Sequence, residues 1–356
     1  MGEPRIAGLE AMAVSVELTA RQRHILDTIV QDYIRTGEPV GSRTLSKRYG
    51  IGLSPATIRN EMAELEENGL LRQPHTSSGR IPSDSGYRVF VEELMGRPAL
   101  ADDQRQQVED SLERSPREFQ ALLSQAARVL ATMSHCAAII TTPEMQAETI
   151  RYLQLVPVGP QALVAVMMTS SGEIRNYAIR LTERTSETDW AQVTNYLNAH
   201  ARGLALTDAI QILASLSTPA DFGVAVREVL GQLWPQLRLA TRVYTWGASL
   251  VLREPEFAGS DRMVGLVHWL EQADEVSAVL EAMTAQHRPV WVSIGHENTS
   301  APLQSCSVVT APYRAGDATG TLAVLGPTRM DYAQAYAVVE VVAEHLSQML
   351  SRLTSA

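Results

Sequence analysis

One run of this 356-residue chain sets a hydroxyl, a guanidinium and a carboxamide close together at a helix start: Ser54, Pro55, Ala56, Thr57, Ile58, Arg59 and Asn60. A guanidinium can bond guanine edges in pairs and a carboxamide adenine edges, while a hydroxyl serves a base or a phosphate. Arg59, Asn60 and Thr57 carry those three groups. Ser54 is a good helix N-cap and Pro55 a good first helical residue, so the helix starts where these side chains, with Ala56, are presented. A second run, His75, Thr76, Ser77, Ser78 and Arg80, offers small donors suited to phosphates or to a minor groove. A third is Ser42, Arg43 and Thr44. Each has a plainer reading, since Arg59 could be a solvated helix residue and a helix-turn-helix pattern arises by chance.

The neighbouring elements favour the chemical reading. Leu18 to Thr36 reads as a helix capped by Thr19, with an apolar face of Ile25, Leu26, Ile29, Val30, Tyr33 and Ile34. Gly37 stops it. Ser42 is expected to cap a short helix, Arg43 to Tyr49, with Leu45 inward and Gly50 at its end. Ile51, Gly52 and Leu53 make the turn into the third helix, whose Ile58, Met62 and Leu65 face inward. Leu70 to Arg72 and Arg80 to Pro82 read as strands around a polar turn, and Ser83 caps a helix to about Met95. Two helices joined by a tight turn, followed by a hairpin, predict a winged helix-turn-helix over 19–97, its later helix set to enter a major groove.

The formal net charge of −10 argues against a nucleic-acid partner until it is partitioned. Residues 19–97 hold eleven Lys/Arg and ten Asp/Glu, whereas 98–356 hold 18 and 27. Ser42 to Asn60 carries Arg43, Lys47, Arg48 and Arg59 without an acid, and Asn68 to Ser83 carries Arg72 and Arg80 without one until Asp84. Acid-free strips are where a polyanion can approach. Glu61, Glu64, Glu66 and Glu67 crowd the end of the helix between them. No apolar run is long enough to span a bilayer and no signal peptide is legible, so no membrane partner and a cytoplasmic location are expected. Cys136 and Cys306 stand far apart in apolar surroundings and read as buried thiols. No metal spacing, phosphate loop or nucleophile–base motif is found, so no cofactor and no enzymatic activity are expected.

Residues 1–18 read as a flexible extension and 98–135 as a helical linker, broken near Arg114, Ser115 and Pro116. Ile150–Leu155 and Ala162–Met168 read as buried strands, Ile174–Leu181 as a partly alternating one. Val290–Ile294, Cys306–Tyr313 and Thr321–Leu325 add three more. A long amphipathic helix closes the chain after 325, with Asp331 near its positive end. The expected class is a multidomain α+β protein, its second domain built from 136–182 and 255–356. Between these, 183–254 reads as all-helical, with apolar stripes at Trp190, Val193, Tyr196 and Leu197 and at Val226, Val229, Leu230, Leu233 and Trp234. The stripes are either ordinary core or an association surface. Glu297, Asn298, Arg314 and Arg329 could line a pocket; a structural role for them is preferred.

The sequence resembles the heat-inducible transcription repressor HrcA family. The resemblance rests on Thr44-Leu45, on Ser54 through Glu66, and on Gln73 through Pro82. It continues at Gly247, Leu250 and Pro255-Glu256-Phe257, at Gly295-His296-Glu297-Asn298, and at Gly326-Pro327-Thr328-Arg329-Met330-Asp331-Tyr332, so that it spans about 18–353. It implies a homodimer on double-stranded DNA at the inverted-repeat CIRCE operator, repressing chaperone operons, with the GroEL chaperonin keeping the repressor active. It also implies that the second domain is GAF-like and that 183–254 is an inserted dimerisation domain, the reading preferred for the stripes because a two-fold operator calls for a two-fold protein. The alternatives are a repressor gated by a metabolite in the GAF-like domain, and an enzyme with an accessory DNA-binding head.

Overall fold

The computed structural model describes residues 17–50, 52–76, 78–115, 118–143, 149–170, 172–182, 188–205, 208–209, 212, 222–238, 243–257, 261–285, 288–316 and 318–354. Local signals in the sequence fix the first elements. Helix α1, Ala20–Thr36, begins at Thr19, whose hydroxyl accepts from the Gln22 amide while the Gln22 side chain returns to the Thr19 amide. That reciprocal pair satisfies two orphan donors of the first turn. Gly37 ends the helix at φ 69°, a left-handed cap open to glycine. Helix α2, Ser42–Arg48, starts one residue earlier than expected: Gly41 is its N-cap and Ser42 lies inside it, buried. Helix α3, Pro55–Glu67, starts at Ser54, whose hydroxyl accepts from the Thr57 amide. Strands β1, Leu71–Arg72, and β2, Ile81–Pro82, close the hairpin. Helix α4, Asp84–Val89, capped by Ser83, continues into a π-helical turn, Phe90–Leu94.

The body is a five-stranded antiparallel sheet between two helical layers. Its strands are β3, Ala137–Thr141; β7, Val243–Trp246; β8, Trp291–Ile294; β9, Cys306–Ala315; and β10, Ala318–Pro327, in the order β7-β3-β10-β9-β8. Alternate residues of β3 serve opposite faces. Ala138 and Ile140 join a core with helices α6, Phe119–Ser134, and α12, Tyr332–Thr354; Ala137 and Ile139 join a second core with α10, Asp261–Glu271, and α11, Ala273–Thr284. Because α6 is buried against the sheet, 98–135 is not a free linker; only α5, Asp102–Glu113, keeps a mostly solvated face. The remaining helix of the body is α9, Ala248–Leu252.

The middle of the chain departs from the sequence reading. Strands β4, Ile150–Gly159, β5, Ala162–Thr169, and β6, Ile174–Arg180, form their own sheet and do not join β3. One face of that sheet packs on α7, Trp190–Ala201, and α8, Gly223–Arg238, so the strands are half-buried rather than buried throughout. The inserted unit therefore begins near 149, not at 183. The expected all-helical stretch also contains β7. Alternating polarity identifies a strand but not its partner, and four residues of β7 are too few to show a period. The stripes Trp190, Val193, Leu197 and Val226, Val229, Leu230, Leu233 are the core of this unit; the Trp234 side chain and the 1–16 part of the N-terminal extension lie outside the described residues. Among the described residues no helix is long and apolar enough to cross a membrane.

Candidate nucleic-acid interface

The inner face of α3 buries Ile58, Met62 and Leu65 against α1 and α2, which leaves Ala56, Arg59 and Asn60 exposed on its first two turns. Packing thus decides which residues face outward, and the capping Ser54 decides where the helix begins. Thr57 is half-buried, and its hydroxyl lies 2.9 Å from that of Ser54. On α2, Arg43 and Thr44 are exposed, while Ser42 is only 9% exposed.

A groove of about 460 Å³ runs between α2, α3 and the hairpin, and Ser42, Arg43, Arg59, Thr76, Ser78 and Arg80 line it together. The fold therefore gathers residues from all three sequence runs. Gly79 makes this possible: a Cβ there would lie 2.5 Å from the Val40 carbonyl, across the Val40–Arg80 backbone bridge. Thr44, Ala56, Asn60 and His75 are exposed but do not line the groove. Ser77 lies outside the described residues.

Two of the hairpin donors are already engaged. The Ser78 hydroxyl donates to the His75 carbonyl at 2.7 Å and accepts from the His75 amide at 3.0 Å, holding the turn closed. Arg80 places Nη2 at 2.7 Å and Nε at 2.9 Å from Glu66 Oε2, and its side chain is 16% exposed. Arg80 thus ties the hairpin to the end of α3 while still lining the groove.

Two of the acids on the later turns of α3 are paired with cations, and a third accepts a neutral hydrogen bond. Glu61 pairs with Arg21 at 3.0 Å, Glu64 accepts from the Gln22 carboxamide at 2.8 Å, and Glu66 holds Arg80. The exposed cations Arg43, Lys47 and Arg59 lie toward the other end, so the charge segregation legible in the sequence becomes a spatial one. Sequence reasoning missed the cluster that fixes α2. Asp32 accepts from Tyr49 at 2.5 Å and from Arg35 at 2.8 Å, with Arg48 at 3.5 Å. Burial pushes its carboxyl pKa up, but the bonds from Tyr49 and Arg35 and the charges of Arg48 and Arg35 outweigh that and hold it below the ordinary carboxylate value.

Of the other candidates, Glu297, Asn298 and Arg329 take structural roles, while Arg314 lines an open surface pocket with Ser347 and Arg352. Arg329 pairs with Glu256 at 2.5 Å and with Glu254. Asn298 is buried, and its amide donates to the carbonyls of Gly295, Leu303 and Cys306. Glu297 holds Arg88 and accepts from the Ile294 amide at 2.9 Å. Arg314 is exposed on β9, its backbone amide bonded to the Ser347 hydroxyl. Cys136 and Cys306 are buried, and desolvation pushes each thiol up to about 12, so neither is a nucleophile at neutral pH.

Residues 120–335 match the family model described as the HrcA protein C terminal domain. The heat-inducible transcription repressor HrcA of Desulforamulus reducens is 34% identical over 343 residues, covering 95% of this chain and 99% of that protein. That of Moorella thermoacetica is 38% identical over 346 residues, covering 95% and 99%. A crystal structure of a hypothetical protein at 2.2 Å superposes with a TM-score of 0.65 at 24% identity, covering 95% of this chain and all of that one.

Proposed function

The chain belongs to the HrcA family of heat-inducible transcription repressors, and on that premise we propose that it represses heat-shock operons by binding the CIRCE inverted repeat as a homodimer. Residues 19–97 act as the winged helix-turn-helix, with α3 in the major groove and the 73–80 hairpin as the wing. The observation that carries this reading is the groove that brings Arg43 and Arg59 beside the wing, with Asn60 exposed on the same helix and Glu61 and Glu66 held in ion pairs. Arg59 and Asn60 read base edges; Arg43, Thr44, His75 and Thr76 hold backbone.

The dimer forms through the inserted unit, but on its sheet rather than on its helices. The outer face of β4-β5-β6 carries exposed Tyr152, Val156, Met168 and Ile174, and Tyr152 pairs across to Met168, which pairs to Ile174. A contiguous apolar face of that kind marks an association surface. The body is a GAF-like domain, and GroEL keeps the repressor in its active form. Glu297, Asn298 and Arg329 are held by intramolecular partners, which disfavours gating by a metabolite at those residues.

The test is anisotropy titration on a CIRCE duplex and a scrambled one at fixed salt. Specific recognition is expected to exceed non-specific binding by about 10³-fold or more. Equal affinity for both duplexes would remove the repressor reading of the head. Replacing Val156 and Met168 by Lys should give monomers in sedimentation, and an intact dimer would move the interface elsewhere. An active fraction that GroEL leaves unchanged would remove the chaperonin from the scheme.

A further inference from the structure

The head is bolted to the body by its fourth helix. Arg88 of α4 donates from Nε to Glu297 at 2.8 Å, pairs with Glu297 again through Nη2, and reaches the Val292 carbonyl at 2.7 Å. Its guanidinium also lies over the Trp291 ring, 5.7 Å from the centroid. One turn earlier, Asp84 Oδ2 accepts from the His296 amide at 3.0 Å and lies 2.8 Å from His296 Nδ1. Between them, Tyr87 meets Tyr332 of α12 with ring centroids 5.5 Å apart. The partners from the body sit on β8 and the 3-10 turn Gly295–Glu297, and Gly295 is required there twice over. Its φ is +53°, and a Cβ would fall 2.2 Å from Asp84 Oδ2. The apolar core is continuous across the seam, from Leu65 and Tyr87 to Tyr332 and Val338.

These bonds do nothing for a head that simply needs a tether. A flexible linker would let each head find its own half-site; a bidentate ion pair, a second anchor one helical turn away and a shared core fix all three rotations of the head. We propose that Asp84, Arg88, Gly295 and Glu297 are positioning residues that set the spacing of half-sites the dimer accepts, by holding α3 at a fixed attitude to the body. The inference rests on the DNA-binding dimer proposed above.

The experiment is a spacing series with the full-length protein. Inverted repeats differ by single base pairs in the distance between half-sites, and each added base pair turns the second site by about a tenth of a helical turn. Isolated half-sites serve as the reference. For the native protein, five added base pairs should cost about 10²-fold or more, because the second head no longer reaches its site. Arg88→Met and Gly295→Ala should bind the isolated half-site within about twofold of native, yet lose less than about threefold on the same insertion, because a loosened head follows its site. Arg88→Lys, which keeps the charge without the fork, should fall between. Variants with the native far-UV spectrum and dimer state but an unchanged spacing profile would overturn the proposal. So would a native protein indifferent to spacing. A native protein that binds no half-site at all would instead refute the DNA-binding reading on which the proposal rests.

Discussion

Arg80 separates two accounts of the wing, because a phosphate contact and an internal ion pair answer differently to salt. Both Nη2 and Nε of Arg80 lie within 2.9 Å of one Glu66 oxygen, with the arginine 16% and the glutamate 33% exposed. A charge-assisted bond of that geometry contributes about 1.5–3 kcal/mol when shielded. The exposed side of Glu66 lets water screen it, which brings the expected figure to about 1–2 kcal/mol. Arg80→Met keeps the aliphatic stem and removes the pair. Equilibrium denaturation should show the loss of about 1–2 kcal/mol, Glu66→Gln a similar loss, and the double variant little more than either, as coupled residues do. Operator affinity should weaken on every sequence, because the wing is no longer tied to α3. The slope of log Kd against log salt should not change. A phosphate contact would reduce that slope by about 0.9. A slope reduced by that amount, with stability intact, would refute the assignment of Arg80 to Glu66 and restore it to the DNA backbone.

Arg59→Ala should cost about 1–3 kcal/mol on the operator and relax its sequence preference; an equal loss on scrambled DNA would make Arg59 a phosphate contact. Gly79→Ala brings a methyl group to 2.5 Å from the Val40 backbone and should displace the wing at about 1–3 kcal/mol of stability, measured by urea midpoint. A native midpoint would show that the hairpin has room to move. Tyr87 is buried with no partner for its hydroxyl among the described residues, so Tyr87→Phe should stabilise the chain by about 1 kcal/mol, and a loss of stability would reveal a bond to that hydroxyl. Both thiols are raised to about 12 from an ordinary 9, so the folded state keeps protons that the unfolded state releases. Stability is therefore fully present below about pH 9 and declines as pH rises from there toward 12. Replacing both by Ala should flatten that alkaline decline, and an unchanged decline would assign it to other groups.

The head was legible because its signals are local. Thr19 with Gln22, Gly37, Ser54 with Pro55, and Ser83 each act within four residues, and the apolar spacing of α1 and α3 repeats inside one element. The body was legible only in part. The strand character of β4, β5 and β6 shows in their alternation, but their pairing with each other rather than with β3 depends on contacts far along the chain. For β3, whose five residues are buried on both faces, there is no alternation to read. The candidate site divides in the same way. Arg59 and Asn60 are exposed because Ile58 and Met62 must be buried, which the sequence shows. Whether Arg80 and Ser78 are free depends on Glu66 and on the fold of a turn, and no spacing rule carries that. Arg88 meets Glu297 across 209 positions, so the joint is invisible until the chain is folded.

The order β7-β3-β10 bears on how this chain reaches its native state. Strand β3 is the third strand to leave the ribosome, yet its pairing partners are Val243–Trp246 and Leu322–Leu325. Thr141 pairs with Val243, so the whole inserted unit is topologically the loop of one hairpin. Closing so long a loop costs entropy before the pairing returns any energy, and high contact order slows folding. Until Val243–Trp246 is made, the run Ala137–Thr141 has neither neighbour, and its other edge stays open until Leu322–Leu325 follows; an apolar strand with unpaired edges is a surface for misassociation. The central sheet can therefore be completed only after Leu322–Leu325 has been made, long after the local signals that form the head are in place.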